Sequence, residues 1–245
     1  MLVATIAGNT LIMKKLGILG AMDEEVALLK DSLTSLKETQ YKHLTFYEGS
    51  LHGIDIVLAK CGIGKVAAAL ATTVLIEKFS PDAVVNTGSA GGFDKQLTIG
   101  DLVIGDRLIH HDADLTHFGY ALGQCAGMPE HYASDNTLIE AASAAARTMP
   151  QLQSTTGLIC TGDAFIGSDE AVAELREKFP DMKAVEMEGA AIGQTCFMLG
   201  VPFLVIRSLS DIAGKTSTVS FTEYLETAAK HSAQLVMAMA KHLAN

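Results

Sequence analysis

Tryptophan is absent from this chain of 245 residues, and aromatic side chains make up only 6% of it. Proteins that bind single-stranded nucleic acid stack bases on aromatic platforms, so this scarcity argues against such a partner. Positive charge is also in short supply: 18 Lys and Arg stand against 28 Asp and Glu, a formal net charge of -10. A surface this acidic repels a phosphate backbone and an anionic membrane. The expected ligand is small, and neutral or cationic. Cysteines at metal-binding spacing are missing as well. Cys61, Cys125, Cys160 and Cys196 lie far apart, three of them in apolar stretches. The expectation is therefore no zinc, and reduced thiols in a cytosolic protein. No apolar run is long enough for a bilayer. The opening MLVATIAGNTLI is too short to span one and lacks the leading positive charge of a secretory signal. Met13-Lys14-Lys15 reads as the natural start of the folded chain, with residues 1–12 as an extra segment.

What is present is apolar: 49% of the residues are hydrophobic, enough for the core of one large domain. Runs such as Ala83-Val-Val and Phe203-Leu-Val-Ile are too apolar for one-sided strands and suit a sheet covered on both faces. Strands are expected at residues 16–21, 46–49, 54–60, 82–86, 101–109, 156–160 and 201–209. Helices are expected at 23–36, 65–79, 136–149, 168–179, 188–199 and 221–243, with Ser168 as an N-cap. Strands alternate with helices, and no linker or repeat divides the chain. The pattern predicts a single α/β domain with a mixed, mostly parallel central sheet flanked by helices.

The acids in that pattern carry the chemistry. Ala184-Val-Glu-Met-Glu188 and Val205-Ile-Arg-Ser-Leu-Ser-Asp211 each read as a buried strand that ends in carboxylates. Ligands bind at the carboxyl ends of strands in open α/β sheets. Buried acids are costly unless they meet a partner or a ligand, which marks Glu186, Glu188 and Asp211. A carboxylate can hold a ribose diol, and a carboxyl of raised pKa can protonate a leaving group. Together they suggest chemistry on a nucleoside.

Other segments have plainer readings beside the functional one. Gly88-Ser-Ala-Gly-Gly92 suits either a close backbone approach to ligand or a tight strand–helix turn. In Met22-Asp-Glu-Glu25, Asp23 and Glu24 suit a helix first turn, while Glu25 falls where it could face a cleft. His110-His-Asp-Ala-Asp114 has metal-ligand residue types. Consecutive ligands on a strand diverge, so a polar strand end or a subunit contact is expected instead. Phe165 and Ile166 suit core packing or the apolar wall of a purine site.

Seven segments then add up. Gly17-Ile-Leu-Gly-Ala-Met-Asp-Glu-Glu-Val26, Cys61-Gly-Ile-Gly-Lys-Val-Ala-Ala68, Asn86-Thr-Gly-Ser-Ala-Gly-Gly92, His111-Asp-Ala-Asp114, Thr161-Gly-Asp-Ala-Phe165, Val185-Glu-Met-Glu188 and Arg207-Ser-Leu-Ser-Asp211 occur in this order. From about Met13 to the C-terminus the chain resembles the 5′-methylthioadenosine/S-adenosylhomocysteine nucleosidases, which share the nucleoside phosphorylase fold. The resemblance implies a nucleosidase domain over residues 13–245 that hydrolyses an N-glycosidic bond without metal or cofactor. It implies Asp211 as general acid to adenine N7, Glu25 as the carboxylate that activates water, and Glu188 as the acid on the ribose hydroxyls. Met187 is then expected beneath the sugar, with Glu186 nearby, and Ser89, Arg207 and Ser210 among the polar groups ordering the site. Phe165 would stack on adenine and the Ile166 backbone would read its edge, with Met22, Ile63 and Phe221 as lining. Leu115 and Phe118 match positions that reach a neighbouring subunit's alkylthio pocket, which implies a homodimer. Where the family pattern has a proline in that partner loop, this chain has Gln124-Cys125-Ala126.

Three rivals remain at this point. They are a purine nucleoside phosphorylase of the same fold, a hydrolase for another nucleoside, and a nucleoside-binding module without catalysis. The first needs an anion site, which Asp23-Glu24-Glu25 disfavours. The last leaves the buried acid Asp211 without a purpose.

Overall fold

The computed structural model describes residues 13–213 and 217–244. The segment 1–12, expected to be extra, lies outside these residues. The elements in chain order are β1 (Lys15–Gly20), α1 (Asp23–Ser32), β2 (Thr34–Tyr41), β3 (Leu44–Leu51), β4 (Ile54–Lys60), α2 (Lys65–Phe79), β5 (Ala83–Gly92), β6 (Leu102–His110), β7 (Tyr132–Ala133), α3 (Asn136–Ala146), β8 (Ser154–Thr161), α4 (Asp169–Lys178), β9 (Met182–Glu186), α5 (Gly189–Leu199), β10 (Phe203–Ile212) and α6 (Ser217–Leu243). A short 3-10 turn spans Thr116–Phe118.

The apolar strands are buried on both faces, as their composition requires. Side chains alternate along a strand, so neighbours go to opposite sides. On β1, Leu16 and Ile18 join the core under α1, α3 and α6, while Leu19 joins the core under α2 and α5. On β10, Leu204 and Ile206 take the first side, and Phe203 and Val205 the second.

β5 is the hub of a mixed sheet. Its first residues pair in parallel with β1, and almost its whole length pairs in parallel with β10. Its last two residues, Gly91 and Gly92, pair antiparallel with β9. Because β10 pairs with β6, β6 with β8, and β8 with β9, the strands return to β5 and close a ring. β1, β4, β3 and β2 extend from it as an arm. The parallel run β4-β1-β5-β10 brings four strand carboxyl ends to one edge.

Two expectations need correction. The first helix stops at Ser32 rather than at residue 36, because Leu33 takes up an extended backbone. Residues 34–41 form β2, an edge strand whose side chains are nearly all exposed. With neither face buried, it has no apolar alternation to read. The glycine segment 88–92 is not a turn after a strand. It continues β5, and its small residues admit close neighbours on both sides. By contrast, α2 begins and ends where its alanine-rich pattern places it.

The Ser168 hydroxyl caps α4 by accepting from the Ala171 N–H at 3.2 Å. Ser168→Ala is expected to lower stability by about 0.5–2 kcal/mol in urea unfolding, the usual cost of a lost N-cap. Turnover should not change, since the bond that is lost lies within the first turn of α4.

Candidate active site

At the carboxyl edge of the sheet lies a cavity of about 220 Å³. The end of β1 and the start of α1 contribute Met22 and Glu25, the turn before α2 contributes Ile63, and β5 contributes Ser89. Phe165 follows β8, Glu186, Met187 and Glu188 lie at the β9–α5 junction, and Phe221 comes from α6. Nine residues expected from the sequence thus share one wall. Ala21, Ala90 and Val185 complete it and were not anticipated. Small or aliphatic side chains carry no chemical signal of their own, although each adjoins a residue that was expected. The Phe165 and Phe221 rings meet nearly edge to face, with centroids 5.9 Å apart. A larger groove of about 470 Å³ runs past Asp23, Lys30, His43 and Lys60 on the outer side of α1. Its acids, Asp23 and Asp31, are exposed, whereas the smaller cavity combines apolar walls with buried acids.

Glu25 is held by four donors. One oxygen accepts from the N–H groups of Ala21 (2.7 Å) and Met22 (3.2 Å). The other accepts from the Ser89 N–H (2.9 Å) and hydroxyl (3.0 Å). The carboxylate therefore bridges the start of α1 and the middle of β5. Only a residue without a Cβ fits beside it. A Cβ on Gly88 would stand 2.7 Å from Glu25 Oε1.

Behind the cavity lies an ionic cluster. Arg207 is 1% exposed and donates to Glu186 and, at 2.5 Å, to the Asn86 side chain. Its guanidinium is 3.6 Å from Glu188. Glu186 has no oxygen to spare: it also accepts from the Thr161 hydroxyl and from the N–H groups of Glu188 (3.0 Å) and Gly189 (2.7 Å). Glu188 is less committed, accepting from the Gly64 N–H at 2.9 Å. Burial and the neighbouring Glu186 push the Glu188 carboxyl above its ordinary range, against the pull of Arg207. Burial works against the charge on Arg207, and the surrounding Glu186, Glu188 and Glu25 more than offset it.

The remaining expected residues lie off the cavity wall. Asp211, at the end of β10, is 2% exposed and accepts from the Ser210 hydroxyl at 3.0 Å. Its Oδ2 lies 3.4 Å from where a Cβ on Gly91 would stand, next to the wall residue Ala90. Burial raises its pKa, against the lowering effect of the Ser210 bond. The Ile166 side chain packs into the core beneath α4. Phe118 ends the 3-10 turn, where it is 74% exposed, and Leu115 immediately precedes that turn. The His110–Asp114 segment does not converge. His110 Nε2 meets Gln194 at 2.9 Å, and Asp112 pairs with Lys65 at 2.6 Å.

Known proteins share this architecture. The phosphorylase superfamily profile matches residues 15–241. The 5′-methylthioadenosine/S-adenosylhomocysteine nucleosidase of Anoxybacillus flavithermus is 52% identical over 228 residues, covering 93% of this chain and 98% of that protein. The solved nucleosidase of Colwellia psychrerythraea, in complex with adenine, superposes with a TM-score of 0.92 at 52% identity, over 94% of this chain and 96% of the other. That of Neisseria meningitidis, in complex with methylthio-immucillin-A, also has a TM-score of 0.92, at 49% identity over 94% and 99%.

The raised Asp211 pKa has a stability consequence of definite sign. Between its ordinary value of 3.8 and its raised folded value, the native state holds a proton that the unfolded chain has lost. The stability linked to that proton is fully present below the ordinary value and is lost as pH rises through the folded one. Asp211→Asn removes this titration. In urea unfolding across a pH series, the variant should gain stability relative to the parent as pH rises from below 4 to neutral. A constant difference would mean that Asp211 has the same pKa folded and unfolded.

Proposed function

The chain belongs to the phosphorylase superfamily and, within it, to the 5′-methylthioadenosine/S-adenosylhomocysteine nucleosidases, and from that membership we propose that it hydrolyses the N-glycosidic bond of both nucleosides. The products are adenine and the corresponding 5′-thioribose. The observation that carries hydrolysis over phosphorolysis is the position of Glu25. A helix N-terminus beside free backbone N–H groups is a natural anion site. Here the Ala21, Met22 and Ser89 N–H groups are already engaged by the protein's own carboxylate. A phosphate would meet negative charge and find these donors taken, whereas a neutral water can be oriented by Glu25.

In the proposed reaction the water oxygen bonds to ribose C1′ as the bond from C1′ to adenine N9 breaks. The electron pair leaves with adenine, Asp211 delivers a proton to N7, and Glu25 takes a proton from the water. Positive charge that builds on the ribose faces Glu188 and Glu25. Glu188 accepts the ribose hydroxyls, since its remaining acceptor capacity is open to the cavity. Glu186 supports this site by fixing Arg207 and the Glu188 backbone rather than by touching substrate. Phe165 and Phe221 wall the base, and Met187 and Ile63 line the sugar side.

A second copy of the chain is part of the proposal. A cavity of about 220 Å³ is small beside the roughly 300–1,000 Å³ of typical small-molecule sites. Exposed Phe118, with Leu115 next to its turn, suits the missing wall of a partner's alkylthio pocket. Val66 and Leu70 on α2 and Phe197, Met198 and Leu199 on α5 are also exposed, an apolar face suited to burial in a homodimer. The four cysteines are free, which supports a reducing compartment such as the cytosol. Among the described residues no helix is long and apolar enough to cross a membrane.

Adenine release from 5′-methylthioadenosine is expected at the same rate with and without phosphate, and to leave methylthioribose rather than its 1-phosphate. A rate that scaled with phosphate concentration would make the protein a phosphorylase. Asp211→Asn keeps size but cannot donate the N7 proton. Turnover should fall by about 10²–10⁴, the usual weight of a general acid, with substrate binding little changed. A nitrophenyl riboside, whose leaving group needs no proton, should be affected far less. Equal losses on both substrates would remove Asp211 from the acid role.

A further inference from the structure

The N-terminus of α2 is built against its own sequence. Its first residue is Lys65, no acid occupies the first turn, and Gly64 at the N-cap offers no side chain. A helix start carries partial positive charge and unpaired N–H groups, so it favours carboxylates there. Two are supplied from distant segments. The Gly64 N–H donates to Glu188 Oε1 at 2.9 Å, and the Lys65 N–H donates to Asp163 Oδ1 at 2.7 Å. The Asp163 carboxylate lies directly over the cap. A Cβ on Gly64, whose φ is +95°, would stand 2.9 Å from Asp163 Oδ1.

A ring of contacts closes around this cap. The Asp163 N–H donates to Asp112 Oδ2 at 3.0 Å, and Asp112 Oδ1 accepts from Lys65 Nζ at 2.6 Å. Asp163 also lies two residues before Phe165, on the loop whose other end is pinned by Thr161 to Glu186. A single side chain therefore joins the helix start that holds Glu188 to the loop that carries the aromatic wall.

We propose that Asp163 is a positioning residue, which caps α2 from outside and thereby sets Glu188 against the ribose. This rests on the assignment of Glu188 to the ribose hydroxyls. Asp163 touches no reacting atom and acts through the Gly64–Lys65 backbone. Asp112 is its support, holding the Asp163 N–H while drawing the Lys65 ammonium away from the helix start.

The test compares Asp163→Ala, Asp163→Asn and Asp112→Ala with the parent. The readouts are the kcat/KM ratio for 5′-methylthioadenosine over its 2′-deoxy analogue, and amide hydrogen exchange at Gly64 and Lys65. Asn keeps a side-chain oxygen that can accept from the Lys65 N–H, whereas Ala removes it. The ratio is expected to fall about 10-fold in Asp163→Ala, with faster exchange at both amides, and to return to within about 3-fold of the parent in Asp163→Asn. Asp112→Ala should shift both readouts in the same direction, but less. A lower melting temperature with ratio and exchange unchanged would overturn the proposal, as would equal losses in the Ala and Asn variants. A parent that failed to distinguish the two sugars would instead overturn the Glu188 assignment. Exchange at Gly64 and Lys65 would still decide the role of Asp163.

Discussion

Everything at this site depends on one buried cation. Arg207 is fully enclosed in the sheet, with Glu186, Glu188 and Asn86 around it. Two acids share one base, so the cluster is not a neutral pair. Burying charge is costly, and removing one partner of such a pair typically costs about 3–5 kcal/mol because the other is left uncompensated. The arrangement is tolerable because Glu186 is saturated by four donors, two of them backbone N–H groups at the start of α5. The imbalance then falls on Glu188, whose carboxyl burial and Glu186 push upward. A group poised in this way suits a ligand that brings hydroxyl donors and developing positive charge.

Glu25 shows the same logic at the other wall. The fold offers an anion site where α1 meets β5, and the chain fills it with its own carboxylate. One residue thus caps a helix, ties two elements together and leaves a negative field where a water would be held.

Much of this was legible in advance because composition and periodicity act locally. Ala83-Val-Val and Phe203-Leu-Val-Ile are uniformly apolar since β5 and β10 are covered on both faces, and that reads directly. Residues 34–36 read as the last turn of the first helix although they open β2, because an exposed edge strand is under no demand to alternate. The glycines of β5 suited a tight turn and a close backbone approach to a ligand equally well. Their true role, admitting Glu25, Asp211 and Leu209 close to the backbone, depends on strands far away in sequence.

The order of acids, glycines and apolar runs determined by itself that this is an α/β protein with carboxylates at strand ends and chemistry suited to a nucleoside. Those features follow from short-range pattern and from the cost of burying charge. Only the tertiary structure decided which acids are free to act. Glu186 and Glu188 are two residues apart and alike on paper. Both line the cavity, but closure of β5, β9 and β10 around Arg207 gives the first four protein donors and the second a single backbone N–H. The dependence of α2 on Asp163 is likewise invisible in sequence, because a carboxylate 98 residues away becomes a helix cap only when the chain has folded around it.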